Sequence, residues 1–194
     1  MNGPAPKGLG HNNGPTMEPG FAWRKHSWAR ARADLLPTLP IEVLRKRVAR
    51  AKELGLPYKT YASVRAASGH DVVGFLFSNN ALRVMRDGQR LPQDRLGKLA
   101  SLKAGRAALA HRPVDPDQLR VLLSAQGIEL DATSRAPHFE DAWSTIAAAV
   151  LDPVRRANWH RDGVLVVGDT AHERDWSEAA KLAGFLPSDQ FFAC

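Results

Sequence analysis

Apolar positions along this chain fall into segments of two kinds, helix-period stripes and short continuous runs, and they alternate. From Phe21 to Leu36, AWRKHSWARARADLL reads as a helix with Trp28, Leu35 and its alanines inward, ended by Pro37 and Pro40. A second helix begins at Pro40, sets Ile41, Leu44, Val48 and Ala51 on one face and stops at Gly55. After a small-residue helix over YKTYASVRAASG, the run Val72 to Phe77 is too short and too apolar for anything but a buried strand, with Ser78, Asn79 and Asn80 forming a turn or cap behind it.

The remainder repeats that alternation. PQDRLGKLASL predicts a helix and RAALAHRP a strand, although an alanine-rich run also suits a helix. DPDQLRVLLSAQG predicts a helix capped by Asp115, opened by Pro116 and closed by Gly127. HFEDAWSTIAAAVL places Phe139, Trp143, Ile146 and Val150 on one helical face, and DPVRRANW reads as a separate short turn of helix. The strand Gly163 to Asp169 and a helix ending at Gly184 follow. Strands alternating with helices imply an α/β fold, with a Rossmann-like, mainly parallel sheet covered by helices behind a basic helical N-terminal part. The expected organisation is a disordered arm over 1–20, a basic helical segment over 21–68 and a Rossmann-like domain over 69–194.

Length and composition narrow this picture. A chain of 194 residues with 44% hydrophobic and 24% charged residues suits one globular domain with an arm. No apolar run approaches the ~18–20 residues of a membrane span, and the first residues offer no apolar core for a signal peptide. With Cys194 as the single cysteine, no intrachain disulfide forms, and the expected location is cytoplasmic. The GHNNGP stretch resembles the openings of small alphaproteobacterial proteins, nucleoid-associated ones included.

Charge is segregated. Residues 1–110 carry 19 Lys plus Arg against 7 Asp plus Glu, whereas 111–194 carry 8 against 13. The two N-terminal helices present Arg24, Lys25, Arg30, Arg32, Arg45, Lys46, Arg47, Arg50 and Lys52, with Trp23, Trp28, Tyr58 and Tyr61 among or beside them. Cations interleaved with aromatics suit nucleic-acid phosphates and bases, so the leading expectation is a nucleic-acid-binding protein of low sequence specificity. An acidic protein partner would use the same face. A helix-turn-helix is excluded, because the segment after Gly69 continues as VVGFLF and offers no recognition helix.

Candidate chemistry lies elsewhere. VLVVGDTAHERDWSEAAKLAGF runs from an apolar strand through Gly168 and Asp169 into a helix, with Thr170 and Glu173 at capping-box spacing. Ligands of open α/β sheets sit at such strand ends, and the expected crevice holds Ser78, Asn79, Asn80, Asp169, Thr170 and Glu173. Residues 163–184 resemble the last acidic motif of haloacid-dehalogenase-like phosphohydrolases. That resemblance implies Mg²⁺ held by Asp169 and Glu173, in a phosphate-handling enzyme or its inactive relative, with Asn79 or Asn80 orienting phosphate. The family's D-x-D nucleophile is missing: Ser78, Asn79 and Asn80 stand where it belongs. Seven dispersed histidines form no zinc motif, although His160 and Asp162 make an H-x-D pair and His172 lies among acids, so any composite metal or acid/base site has to assemble through folding. Phosphate-binding glycine loops and a G-x-S-x-G elbow are absent from the sequence.

Overall fold

A computed structural model describes residues 39–193. The expected arm, the helix over 21–36 with Arg24, Lys25, Arg30 and Arg32, and Cys194 lie outside the described residues. Two helices, α1 (Ile41–Glu53) and α2 (Tyr58–Ser68), precede β1 (Gly74–Ser78), α3 (Gln93–Ser101), β2 (Gly105–Ala110), α4 (Pro116–Ser124) and β3 (Ala132–Arg135). Then come α5 (Trp143–Arg156), a 3₁₀ turn (Arg161–Gly163), β4 (Val164–Gly168), α6 (Ala171–Ala179), β5 (Gly184–Pro187) and α7 (Ser188–Phe192).

The five strands form one parallel sheet in the order β3-β2-β1-β4-β5. Alternation along each strand builds two cores. Phe75, Phe77, Ala108, Ala110, Leu165 and Val167 point to one face, where Leu54 and Tyr61 of the α1–α2 region, Leu99 of α3, Leu119 of α4 and Phe191 of α7 cover them. Leu76, Ala107, Leu109, Val164 and Val166 point to the other, beneath Ile146 and Val150 of α5 and Trp176 of α6. Burial on both faces is why the central strands β1 and β4 are apolar almost throughout rather than alternating. This is the Rossmann-like three-layer sheet expected from the sequence.

Arg50 fastens α1 to the lower edge of the sheet. Its guanidinium donates to Asp71 Oδ2 (3.0 Å), to Glu53 Oε2 (3.1 Å) and to the carbonyls of Val72 (3.0 Å) and Lys103 (3.1 Å). Tyr61 donates to the other Asp71 oxygen at 2.8 Å. Burial pushes the Asp71 carboxyl up, but the hydrogen bonds from Tyr61 and Arg50 outweigh it and hold the group below its usual range.

Several elements differ from expectation. On α1, of the four positions expected inward, Ala51 is buried, while Ile41 and Val48 are exposed among the described residues. The segments read as two helices around residue 150 form a single helix, α5. Pro153 sits within it, and the helix continues to Arg156 because Pro153 and Val154 are buried against the sheet. Phe139 lies before that helix, and both it and Trp143 are exposed. Helix α4 ends at Ser124, and Gly127, at φ 82°, closes the turn that follows.

Where β1 and β2 begin, the paired residues Gly74 and Gly105 leave a bare patch on which Trp159 lies. A Cβ on Gly74 would come within 2.7 Å of the indole, and one on Gly105 would overlap it outright. Gly105→Ala is expected to destabilise the fold by about 1–3 kcal/mol through overpacking. Gly97→Ala, in α3 with nothing within 4 Å of the added carbon, is expected to be neutral or stabilising by up to about 1 kcal/mol. Urea unfolding of both variants checks the contrast.

Candidate functional site

The strand order fixes where a ligand crevice opens. The chain moves outward from β1 through β2 to β3, then returns to place β4 on the other side of β1, so the loops leaving β1 and β4 diverge. Ser78, Asn79 and Asn80 leave β1 there, and Asp169 and Thr170 leave β4.

Glu173, in the first turn of α6, is the centre of the site and is fully buried. Its Oε2 accepts from the backbone N–H groups of Asp169 (2.6 Å) and Thr170 (3.0 Å), while the Thr170 hydroxyl accepts from the Glu173 N–H at 3.2 Å, completing the expected capping box. Its Oε1 lies 2.9 Å from Asn80 Nδ2 and 3.0 Å from His111 Nε2. The Ser78 hydroxyl bonds the same carboxylate. Burial alone raises this carboxyl's pKa, but the hydrogen bonds from His111, the Asp169 N–H, Ser78 and the Thr170 N–H outweigh it and bring the group from 4.5 down to about 2. An ionised carboxylate has only acceptors, so His111 Nε2 carries the proton in this contact.

Asp169 is engaged from both sides. Arg83 donates to its Oδ2 at 2.8 Å, and the Ser188 hydroxyl at the start of α7 bonds its Oδ1. The expected crevice residues therefore converge, with one correction. Asn79 turns inward, donating to the Val84 carbonyl (2.7 Å) and accepting from the His111 N–H (2.8 Å), so it joins the β1 and β2 ends and cannot orient phosphate. His111, Arg83 and Ser188 belong to the network and were not expected. His111 directly follows β2, and a firm strand at 105–110 would have put it at the same sheet edge.

Mg²⁺, which the haloacid-dehalogenase-like resemblance implies at Asp169 and Glu173, does not fit this donor set. The lone pairs of Glu173 are taken by donors from Asn80, His111, Asp169 and Thr170, and Asp169 holds a guanidinium where a cation would sit. Ser78, Asn79 and Asn80 add no carboxylate.

Beside this network a cleft of about 510 Å³ opens at the carboxyl ends of β2 and β3. Its lining includes His111 and Arg112 after β2, Arg135 closing β3, His138 and Phe139 in the following loop, and His172 in the first turn of α6. One acid, Asp141, also lines it, but its Oδ2 accepts from the His138 N–H at 2.7 Å within its own loop. Arg135 donates to the Ala110 carbonyl (3.3 Å) and the Val114 carbonyl and lies 3.5 Å from Asp115 Oδ2. His172 Nε2 lies 3.2 Å from the Pro137 carbonyl and 3.3 Å from Trp176 Nε1, so it donates to the first or accepts from the second according to its tautomer.

The basic face of α1 is less available than its sequence implies. Arg50 is committed to Asp71, Glu53 and two carbonyls, because it closes the joint between α1 and the strands. Arg45 pairs with Glu42 at 2.7 Å on the surface, and Lys46 and Lys52 are exposed, with Arg47 half-buried.

No protein-family model matches the sequence, and no curated protein matches it either. Among solved structures, the chain is similar to the cobalt-bound form of the deoxy-D-mannose-octulosonate 8-phosphate phosphatase from Haemophilus influenzae. Identity is 14% and the TM-score 0.43, over 60% of this chain and 68% of that one. It is also similar to a Had-superfamily hydrolase from Ehrlichia chaffeensis, at 17% identity and a TM-score of 0.35, over 53% of this chain and 52% of that one. Neither likeness is close enough to carry substrate, cofactor or mechanism from one protein to another.

Because the folded-state pKa of Glu173 lies below its unfolded value, the stabilisation it supplies is complete above about pH 4.5 and is lost as pH falls towards about 2. Glu173→Gln, which keeps the capping-box shape, is expected to cost about 3 kcal/mol at neutral pH and to flatten the loss of stability across that acid window. Urea titrations of both proteins from pH 7 to pH 2 measure it.

Proposed function

We propose that this chain is a non-hydrolytic phosphate-binding domain of the Rossmann-like class, taking a small phosphorylated molecule at the carboxyl ends of β2 and β3. One observation carries this reading: two arginines and three histidines line one cleft of about 510 Å³ beside the topological switch of the sheet. Guanidinium and imidazole N–H groups are the donors that phosphate oxygens accept from, and the single acid in the lining is turned to its own loop.

The same geometry argues against hydrolysis. A phosphoaspartyl route needs a free carboxylate at the end of β1, and that position holds Ser78, Asn79 and Asn80. Asp169 and Glu173 serve as structural acceptors. Within the cleft, Arg112 stands exposed at the mouth and Phe139, 69% exposed, supplies an apolar wall for the part of the ligand that carries the phosphate. Arg135, already bonded to two carbonyls, fixes the floor.

Titration calorimetry with inorganic phosphate and with adenosine monophosphate as probes tests this. Binding of at least one probe is expected, weakened about tenfold or more in Arg112→Ala and in His138→Ala, since a charge-assisted hydrogen bond contributes about 1.5–3 kcal/mol. No release of p-nitrophenol from its phosphate ester is expected with Mg²⁺. Binding of neither probe, or turnover abolished by Asp169→Asn, would overturn the reading. Oligonucleotide binding indifferent to Arg112→Ala but lost in Lys46→Ala would overturn it in favour of α1.

A further inference from the structure

At the opposite, amino-terminal edge of the sheet, the loops entering β1 and β4 bring together two imidazoles and a carboxylate. His70 lies between α2 and β1, and His160 and Asp162 lie between α5 and β4. β1 and β4 are paired neighbours, with Gly74 opposite Val164, so the two entering loops are adjacent by register. The rings of His70 and His160 are 5.1 Å apart between centroids, and His160 Nδ1 lies 3.4 Å from Asp162 Oδ2. One ligand atom from each of the three residues falls within 4.8 Å of the other two.

We propose that His70, His160 and Asp162 form a binding site for a divalent transition-metal ion, zinc above all, with three protein ligands and water in the open position. Two imidazole nitrogens with one carboxylate oxygen suit Zn²⁺, Ni²⁺ or Cu²⁺, whereas Mg²⁺ and Ca²⁺ take oxygen sets. Tetrahedral zinc with bonds near 2.0–2.1 Å sets its ligand atoms about 3.3 Å apart. The His160–Asp162 separation of 3.4 Å already has that value, and small rotations of exposed side chains bring His70 into range.

The backbones beneath these side chains are held in place. Val73 donates to the Gly163 carbonyl at 2.8 Å, Gly163 donates to the His160 carbonyl at 3.0 Å, and the His70 N–H donates to Ser68 Oγ at 3.2 Å. Gly163 packs so closely on the Asp71 carbonyl that a Cβ there would lie 2.7 Å from it, which keeps the two loops in contact. Arg161 approaches Asp162 through Oδ1, at 3.9 Å, and leaves Oδ2 on the side of the histidines. A five-residue strand spans roughly 17 Å, so this site is separate from the phosphate cleft and stands whether or not that reading holds.

Calorimetric titration of the full chain with Zn²⁺, after treatment with a chelator, tests the assignment. One zinc per chain is expected, with His70→Ala and His160→Ala each lowering affinity at least about tenfold and Asp162→Asn acting in the same direction. With Co²⁺ as the probe, d–d absorption should appear in the wild type and disappear in His160→Ala. All three side chains lie at the surface, so the metal-free melting temperatures should stay at the wild-type value, and His160→Gln provides a second variant of similar size. No stoichiometric zinc uptake, or wild-type affinity retained in both histidine-to-alanine variants, would overturn the proposal.

Discussion

A single buried negative charge governs the carboxyl edge of this sheet. The Glu173 carboxylate has no solvent contact and is stable as an anion because donors from separate parts of the chain meet on it. An unpaired carboxylate at that depth would cost several kcal/mol or take up a proton. Ser78 and Asn80 bring the exit of β1, His111 the exit of β2, and the Asp169 and Thr170 amides the turn from β4 into α6. The three strand ends are held in one arrangement because the charge requires all of them. That arrangement also withdraws the carboxylate from metal chemistry, since an anion surrounded by donors has no lone pair left for a cation.

The two ends of the sheet are consequently different in kind. At the carboxyl end the loops are tied inward to Glu173 and Asp169, and what remains open beside them is a cationic cleft. At the amino end, Arg50, Asp71 and Tyr61 close the joint with α1 and α2, and Trp159 lies on the bare backbone of Gly74 and Gly105. Side chains that these contacts leave out, His70 and His160 among them, project to the surface on a fixed backbone. Rigid elements below and exposed donors above are what a small ligand site requires.

Much of this architecture was legible in the sequence, and what was missed has physical causes. The all-apolar runs at 72–77 and 163–168 read as buried strands because both faces of the sheet are covered. The Thr170 to Glu173 spacing and the Asp115-Pro116 pair read as caps because side-chain geometry alone defines them. β3 and β5 escaped notice because ATSR and GFLP are four-residue edge strands with too few apolar positions to show a period. Pro153 read as a break because a ring in mid-helix removes a hydrogen bond, a local cost overridden here by burial of Pro153 and Val154. The network around Glu173 was half visible. Its capping partner is three residues away, while Asn80 and His111 are 93 and 62 positions distant and meet it only through the sheet order.

Charge summed along the chain and charge placed by the fold differ for a related reason. The strongly basic stretch lies before residue 111, yet Arg50 within it is a structural fastener, and Arg45 pairs with its own helix. The arginines and histidines lining the cleft, His111, Arg112, Arg135, His138 and His172, all come from the half of the chain whose net charge is negative. Linear charge measures an average over a segment, whereas a ligand meets the potential at one concave point, where field lines are focused by the surrounding low-dielectric walls. In this fold the acids nearest the cleft are engaged: Glu173 by backbone amides, Asp169 by Ser188 and Arg83 at the strand ends, and Asp141 by the His138 N–H of its own loop. Their partners offset their charge locally, and Arg112 stays exposed at the mouth of the cleft.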